Sequence, residues 1–280
     1  MCTWSAFFSS HLASILKSAS IAALILLAAG SVAAQSNPDQ LQVAPPAMRQ
    51  SEPPPANASL KELEDQGDIL RTQKAYLDAL DYYNAALKQD PKNALLWNKT
   101  GITELQLQRY KDARRAFERA LKFDPNMSDA RNNLAVVFYE MKNYGRAIKE
   151  YKRAIVQQPD SASYYSNLGA AYFSKKEFDH AVQAYGKALQ IDPDVLERTS
   201  RAGVTAQLPS PEDRAHYDYE VAKLYAKMGS SDRSLEYLRK ALEEGYKGID
   251  GVYKDGEFAT LRKDPRFVQL MAEKPTAIPQ

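Results

Sequence analysis

A period of 34 residues constrains this chain more than any other feature of its sequence. Prolines recur at that spacing, and each ends a unit with the same pattern: Pro91, Pro125, Pro159 and Pro193. With Leu60 as position 1 of the first unit, position 8 is small, positions 20 and 27 are alanine and position 24 is aromatic. Recurrence at five positions in four units indicates an internal repeat.

The fourth unit shows what each repeat folds into. Its first half places apolar or small residues at steps of three and four, at Tyr165, Leu168, Gly169 and Tyr172. Its second half repeats this spacing at Phe178, Ala181, Tyr185, Ala188 and Leu189. Such steps put the residues on one face of a helix, so each unit is predicted to be a helical hairpin, helix A followed by helix B. The proline at position 32 ends helix B.

At these positions the chain resembles the tetratricopeptide repeat family, whose 34-residue helix–turn–helix unit has similar aromatic, small and terminal proline positions. The resemblance implies an all-α fold with four repeats over residues 59–193. In that fold, tandem hairpins stack into a right-handed superhelix, an α-solenoid with a concave side.

After Pro193 the period breaks. Residues 194–214 contain Gly203, Pro209 and Pro211 and are predicted to form an irregular insertion. A degenerate fifth repeat is predicted over 215–248, followed by a capping helix and tail over 249–280. In the tail, Asp264 would cap a last helix that has Pro265 in its first turn. The alternative is that the tail folds into the concave groove as an internal ligand.

The N-terminal segment, residues 1–34, is predicted to be a signal peptide. Its apolar run from Ile21 to Ala34 is short for a membrane span, and Val32 and Ala34 are small residues suited to a cleavage site before Gln35. We therefore expect export to the periplasm or secretion, with an uncleaved membrane anchor as the alternative. The Pro-rich stretch 35–58 is predicted to be a disordered linker.

Composition and motifs argue against several functions. The 37 basic and 35 acidic residues leave a net charge of +2, so no overall field favours nucleic acid. The three histidines lack metal-ligand spacing, and neither a phosphate-binding loop nor a nucleophile elbow occurs. We expect a protein that is not an enzyme, has no cofactor or metal, and contacts a membrane only through its N-terminal segment.

The resemblance implies a binding groove along helices A, at positions 2, 5, 9 and 12 of each unit. Its predicted lining is Leu95, Asn98, Ile102, Leu105, Asn132, Val136, Tyr139, Ser166, Ala170 and Phe173. Here Asn98 and Asn132 would bond the backbone of a bound segment, between apolar anchors. The alternative is that the apolar residues of helices A contact the neighbouring unit and leave little open surface.

The function that these features favour is a scaffold or adaptor that binds a segment of another protein in the groove. A basic clamp for a C-terminal carboxylate is not expected, because Glu64 and Asp68 stand at its Lys and Asn positions. One alternative is a structural envelope component that forms homo-oligomers. Another is an assembly factor whose tail occupies its own groove.

Overall fold

The computed structural model describes residues 51–196 and 210–273, and within these ranges all regular structure is helical. The predicted signal segment, most of the linker and the end of the tail lie outside the described residues. Eight helices precede the break in the period: α1 Leu60–Thr72, α2 Tyr76–Gln89, α3 Ala94–Gln106, α4 Tyr110–Phe123, α5 Ser128–Glu140, α6 Tyr144–Gln157, α7 Ala162–Ser174 and α8 Phe178–Ile191. Three follow it: α9 Pro211–Lys227, α10 Ser231–Glu243 and α11 Pro265–Glu273.

Helices α1 to α10 form five hairpins in chain order. Within each hairpin, helix A packs on helix B, and helix B packs on helix A of the next unit. Successive helices A also approach one another, in the pairs α3 with α5, α5 with α7, and α7 with α9. Helices A therefore line the inner side of the stack and helices B its outer side. The prediction of an all-α fold of tandem hairpins is confirmed.

The small residue at position 8 makes room for the aromatic residue at position 24. A Cβ atom added to Gly101 would lie 2.6 Å from a ring carbon of Phe117. A Cβ atom added to Gly67 would lie equally close, at 2.6 Å, to a ring carbon of Tyr83. Real Cβ atoms do not come this close to a ring, so the two helices meet where glycine leaves space for it. This contact explains why these two positions recur together.

The turn between helices A and B places position 15 in the left-handed region. Lys74, Gln108, Lys142 and Lys176 have φ between 57° and 66°, and Gly229 has 77° at the equivalent place in the fifth hairpin. The residue at position 16 closes the turn with its backbone N–H. In the second unit, the Arg109 N–H donates to the Glu104 carbonyl at 2.9 Å. Four units thus hold a side chain where glycine fits best.

Gln108→Gly is therefore expected to raise the free energy of unfolding by about 0.5–1 kcal/mol, because the left-handed conformation is strained for residues with a Cβ. Urea unfolding followed by circular dichroism would measure the change. The matched control, Gly229→Ala, should lower stability by about 1 kcal/mol. Destabilisation by Gln108→Gly would show that this turn is not strained.

The fifth hairpin begins earlier than the sequence predicts. The structure starts α9 at Pro211, four residues before the predicted boundary at 215. Ser210 Oγ accepts a hydrogen bond from the Asp213 backbone N–H at 3.1 Å, and proline suits the first turn because it needs no donor. The predicted insertion 194–214 thus ends before this helix.

The tail covers the last hairpin. Short 3₁₀ helices at Ile249–Tyr253, Gly256–Phe258 and Leu261–Lys263 lead into α11. Their apolar side chains are buried in one cluster with α9 and α10: Val252, Phe258, Leu261, Phe267, Leu270 and Met271. The described part of the tail therefore shields the end of the stack, as a cap does.

The end of the predicted linker also has a defined place. The Ser51 backbone N–H donates to Asp78 Oδ1 at 3.1 Å, and Gln89 Nε2 donates to the Ala58 carbonyl at 2.8 Å. Tyr82 also donates its hydroxyl to the Glu52 carbonyl at 3.4 Å. Residues 51–58, which the sequence assigns to a disordered linker, thus lie against α2.

None of the helices in the described ranges is both long and apolar enough to cross a bilayer.

Candidate functional site

Most of the predicted groove lining is buried between repeats. Val136 and Phe173 are 0 % exposed, whereas Leu95 is 48 % exposed and Ile102 is partly buried. The other six predicted residues are also buried: Asn98, Leu105, Asn132, Tyr139, Ser166 and Ala170. The predicted lining is therefore open on α3 and filled in the third and fourth units.

The asparagines of the predicted groove, Asn98 and Asn132, each bond to an asparagine of the following repeat. Asn133 Nδ2 donates to Asn98 Oδ1 at 3.2 Å, and Asn167 Nδ2 donates to Asn132 Oδ1 at 3.1 Å. Asn132 Nδ2 lies 3.4 Å from Asn133 Oδ1 and continues the chain of amides. Buried amides require such partners, so Asn98 and Asn132 hold neighbouring units in register. The sequence had assigned them to the backbone of a bound segment.

Aromatic packing fills the groove in the third and fourth units. The Phe173 ring lies 5.1 Å from His216 and 6.2 Å from Tyr217, both on α9. Tyr139 shares a hydrogen bond of 2.9 Å with Ser174 Oγ, and burial raises the pKa of its hydroxyl to about 12. The large side chains at position 12, Tyr139 and Phe173, therefore contact the next helix A instead of lining a groove.

The open part of the inner side lies on α3. Leu95, Lys99 and Ile102 are spaced by four and three residues, so they share one face of the helix. Lys99 Nζ lies 2.6 Å from Glu64 Oε1 and 2.5 Å from Asp68 Oδ2, both on α1. Burial disfavours the charge of Lys99, but hydrogen bonds to Asp68 and Glu64 outweigh burial and raise the pKa of Lys99.

Two more side chains of the first hairpin complete this cluster. Tyr83 donates its hydroxyl to Asp68 Oδ1 at 2.7 Å, and Arg71 Nε donates to the Tyr83 hydroxyl at 3.3 Å. We call the region the α1–α3 surface, defined by Glu64, Asp68, Arg71, Leu95, Lys99 and Ile102. It combines two accessible apolar side chains with fixed donors and acceptors.

Sequence reasoning missed Lys99 as a member of the site. A signal was present, because position 6 holds Asn133 and Asn167 in the next two units and a lysine only here. The acidic residues at positions 5 and 9 of the first unit, Glu64 and Asp68, are the partners that such a lysine needs. Comparing units pairwise would have linked the three residues.

The described part of the chain, 51–196 and 210–273, has no group of three or more His, Cys, Asp or Glu side chains that could hold a metal ion.

A buried carboxylate in the fifth hairpin makes stability depend on pH. Asp218 is 8 % exposed, and burial raises its pKa to about 7, with the Glu244 carboxylate adding to the shift. Lys240 and Arg214 act in the opposite direction without cancelling it. Since an unfolded aspartate has a pKa of about 3.9, the folded chain binds a proton more tightly than the unfolded chain between these values. The contribution of Asp218 to the free energy of unfolding is therefore largest below pH 4 and falls as the pH rises toward 7.

Asp218→Asn should therefore raise the free energy of unfolding by about 2 kcal/mol at pH 8, where the native carboxylate is ionised and buried. Near pH 3 the same substitution should have little effect, because the carboxyl group is then largely neutral in both states. Urea unfolding at the two pH values would measure the difference. An equal effect at both would show that ionisation of Asp218 does not act on stability.

Family models described as tetratricopeptide repeat match this chain in four stretches. One model matches residues 63–94 and 98–162, a second matches 162–195 and a third matches 219–244. Together the matches cover more than half of the chain and include most of the fifth hairpin.

Similar proteins are found among curated sequences and solved structures. A chloroplastic protein from Arabidopsis thaliana is 31 % identical over 70 residues, which are 25 % of this chain and 21 % of that protein. The chain thus matches about a fifth of the length of this relative. The crystal structure of MamA is 26 % identical, with 64 % of this chain and 93 % of that chain covered and a TM-score of 0.47. A tetratricopeptide repeat protein from Thermus thermophilus, TTC0263, is 22 % identical, with 70 % and 96 % covered and a TM-score of 0.47.

Proposed function

The chain belongs to the tetratricopeptide repeat family, whose fold serves protein–protein interaction, and we propose that it is a non-enzymatic scaffold that binds a partner segment on the α1–α3 surface. The observation that carries the proposal is the exposure of Leu95, at 48 %, on the inner side of the stack. An accessible apolar residue with polar groups around it is typical of a binding surface.

The spacing of the two apolar side chains sets the kind of segment that fits. Leu95 and Ile102 are two helical turns apart on α3, roughly 10 Å along its axis at 1.5 Å per residue. An extended segment covers that distance in about three residues, and a helical one in about seven. The partner should therefore present two apolar side chains at one of these spacings.

The polar groups of the α1–α3 surface suit a backbone as ligand. Arg71 and Lys99 already donate to groups of the first hairpin, but each has further N–H groups. The carboxylates of Glu64 and Asp68 likewise have further lone pairs on the same surface as the apolar pair. A peptide backbone carries both a donor and an acceptor at each residue other than proline, so it can use both kinds. The near balance of charge here favours a neutral segment over a strongly acidic or basic one.

The proposal is tested by peptides selected from a random display library on the wild-type chain. Leu95→Asp combined with Ile102→Asp should weaken their binding by about 100-fold, because both apolar anchors become charged. Val156→Asp is the matched control, since Val156 is 83 % exposed on the outer side, and it should bind normally. Unchanged peptide affinity in the double variant would contradict the proposal, provided that its circular dichroism is native.

We also propose that the scaffold acts outside the cytoplasm, in the periplasm or after secretion. Support comes from the apolar segment Ile21–Ala34 and the small residues Val32 and Ala34. N-terminal sequencing of the protein from fractionated cells should find Gln35 first. A chain that keeps residues 1–34 and stays with the membrane fraction would favour the anchor instead.

The homo-oligomeric alternative makes a different prediction in solution. A scaffold for other proteins should be monomeric when purified alone, whereas a structural component should form a defined oligomer. Size-exclusion chromatography with light scattering on the purified chain distinguishes them. A stable oligomer that survives Leu95→Asp would favour the structural role.

A further inference from the structure

The outer side of the stack carries a concentrated positive charge in its second and third units. Helices α4 and α6 are both helices B and lie on this side. Their exposed cations follow one face of each helix, at steps of three to eight residues. We define the α4–α6 basic face by Lys111, Arg119, Lys122, Arg146, Lys149 and Lys152.

None of these six cations has a carboxylate at ion-pair distance among the described residues. Other basic residues of the same helices do, since Arg115 pairs with Asp112 at 3.1 Å and Arg153 with Glu150 at 2.7 Å. Arg146 and Lys152 lie over the rings of Phe138 and Tyr172, at 5.7 and 5.4 Å, and such contacts orient a cation without neutralising it. The face therefore keeps its charge in the folded chain.

The charge is specific to these two units. At the outer position occupied by Arg115 and Lys149, the other hairpins have Asp81, Gln183 and Glu236. The chain as a whole has a net charge of only +2, so the basic face is balanced by acidic residues elsewhere. The exposed carboxylates of α4, Asp112 and Glu118, pair with other arginines of that helix, and α6 exposes no carboxylate.

An exposed aliphatic side chain lies at the end of the basic face. Val156 of α6 is 83 % exposed and occupies the position that Lys122 holds in α4. It follows Lys149 and Lys152 along the same helix face, at steps of three and four. Cations around an exposed apolar residue are the combination with which folded proteins bind anionic membrane surfaces.

We propose that the α4–α6 basic face binds the anionic headgroups of a phospholipid bilayer, with Val156 entering the interface. The apolar segment Ile21–Ala34, predicted to target the chain to a membrane, would bring such a surface within reach. Binding on the outer side leaves the α1–α3 surface, on the inner side, free for a protein segment. The role is thus separate from the proposed scaffold function.

The test places an environment-sensitive fluorophore on the face of the full-length chain. Val156→Cys is labelled in a Cys2→Ser background, which removes the only other thiol. Vesicles of phosphatidylglycerol and phosphatidylcholine with brominated acyl chains should quench the label at low ionic strength. Pure phosphatidylcholine vesicles should not, and added salt should reverse the quenching. A label on Leu95→Cys, on the inner side, is the control and should not respond.

Charge reversal checks which residues bind. Arg119→Glu, Lys149→Glu and Lys152→Glu together should raise the lipid concentration for half-maximal quenching by about 100-fold, given the attraction of each cation to an anionic surface. Reversal of three exposed cations elsewhere, Lys227, Arg239 and Lys247, should leave it within about threefold. The variant with Gln at the same three positions should need a lipid concentration between those of the wild type and the Glu variant. Every variant must show a native circular dichroism spectrum.

Three results would overturn the proposal. The first is that anionic vesicles do not quench the label at position 156, and the second is that both triple reversals weaken quenching equally. The third is that RNA or poly-glutamate competes with the vesicles at equal charge concentration and changes the fluorescence of the label in the same way. The face would then bind polyanions generally, or nucleic acid, and not a bilayer.

Discussion

Val136→Asp is expected to lower the free energy of unfolding by more than about 4 kcal/mol, because it puts a carboxylate without a partner into a closed apolar contact. Val136 is 0 % exposed and packs in one cluster with Tyr139 and Phe173. The repeat pattern alone would place it on an open groove, where aspartate would be harmless. Urea unfolding followed by circular dichroism measures the loss.

The matched control for this substitution is Leu95→Asp, on the inner face of the preceding unit. Because Leu95 is about half exposed, Leu95→Asp should change the free energy of unfolding by less than about 1 kcal/mol. Lowering the pH should also recover part of the stability of Val136→Asp, because a neutral carboxyl group is less costly to bury. Native stability of Val136→Asp at pH 7 would mean that the groove is open in the third unit.

Phe117→Ala should lower the free energy of unfolding by about 3–5 kcal/mol, since it removes a fully buried ring and leaves a cavity. Phe117 is 0 % exposed and packs against Gly101, where the two helices of the second hairpin meet. Thermal or urea unfolding would detect the loss. Val156→Ala removes an exposed side chain and should change stability by less than about 0.5 kcal/mol.

A double-mutant cycle tests the contact itself. In the Phe117→Ala background, Gly101→Ala should raise stability by about 1 kcal/mol, because alanine is the better helix former and the ring no longer opposes it. In the native background, the methyl group of Gly101→Ala would clash with the Phe117 ring. The substitution should therefore not raise stability there. Equal effects in both backgrounds would contradict the account of the repeated glycine.

The fold was predictable because its signals are local and repeated. The spacing of Pro91 and its equivalents fixed the unit, and small and aromatic positions such as Gly101 and Phe117 identified two helices that cross closely. The weakened fifth repeat was found from Ala222 and Leu238, both buried in the structure. Its start at Pro211 does not follow from the pattern, because proline interrupts a helix in its interior but also suits its first turn.

The site was only partly predictable, because exposure depends on the neighbouring unit. At position 9, Ile102 is partly exposed whereas Val136 is fully buried, although both side chains are aliphatic. Closure in the fourth unit depends on α9, which places His216 against Phe173 after a connection whose course the repeat pattern does not give. The predicted lining includes Leu95 and Ile102 of the open surface on α3. It does not include Lys99 or the ion pairs of Lys99 with α1.

The central claim is that, among the described residues, the apolar surface on the inner side that binds a partner segment lies between α1 and α3. Site-specific photo-crosslinking of a selected peptide tests it most directly, with the crosslinker at Leu95 or at Ser163, which holds the equivalent position two units later. The account predicts that the peptide crosslinks from Leu95 and not from Ser163. Crosslinking from Ser163 with none from Leu95 would contradict it.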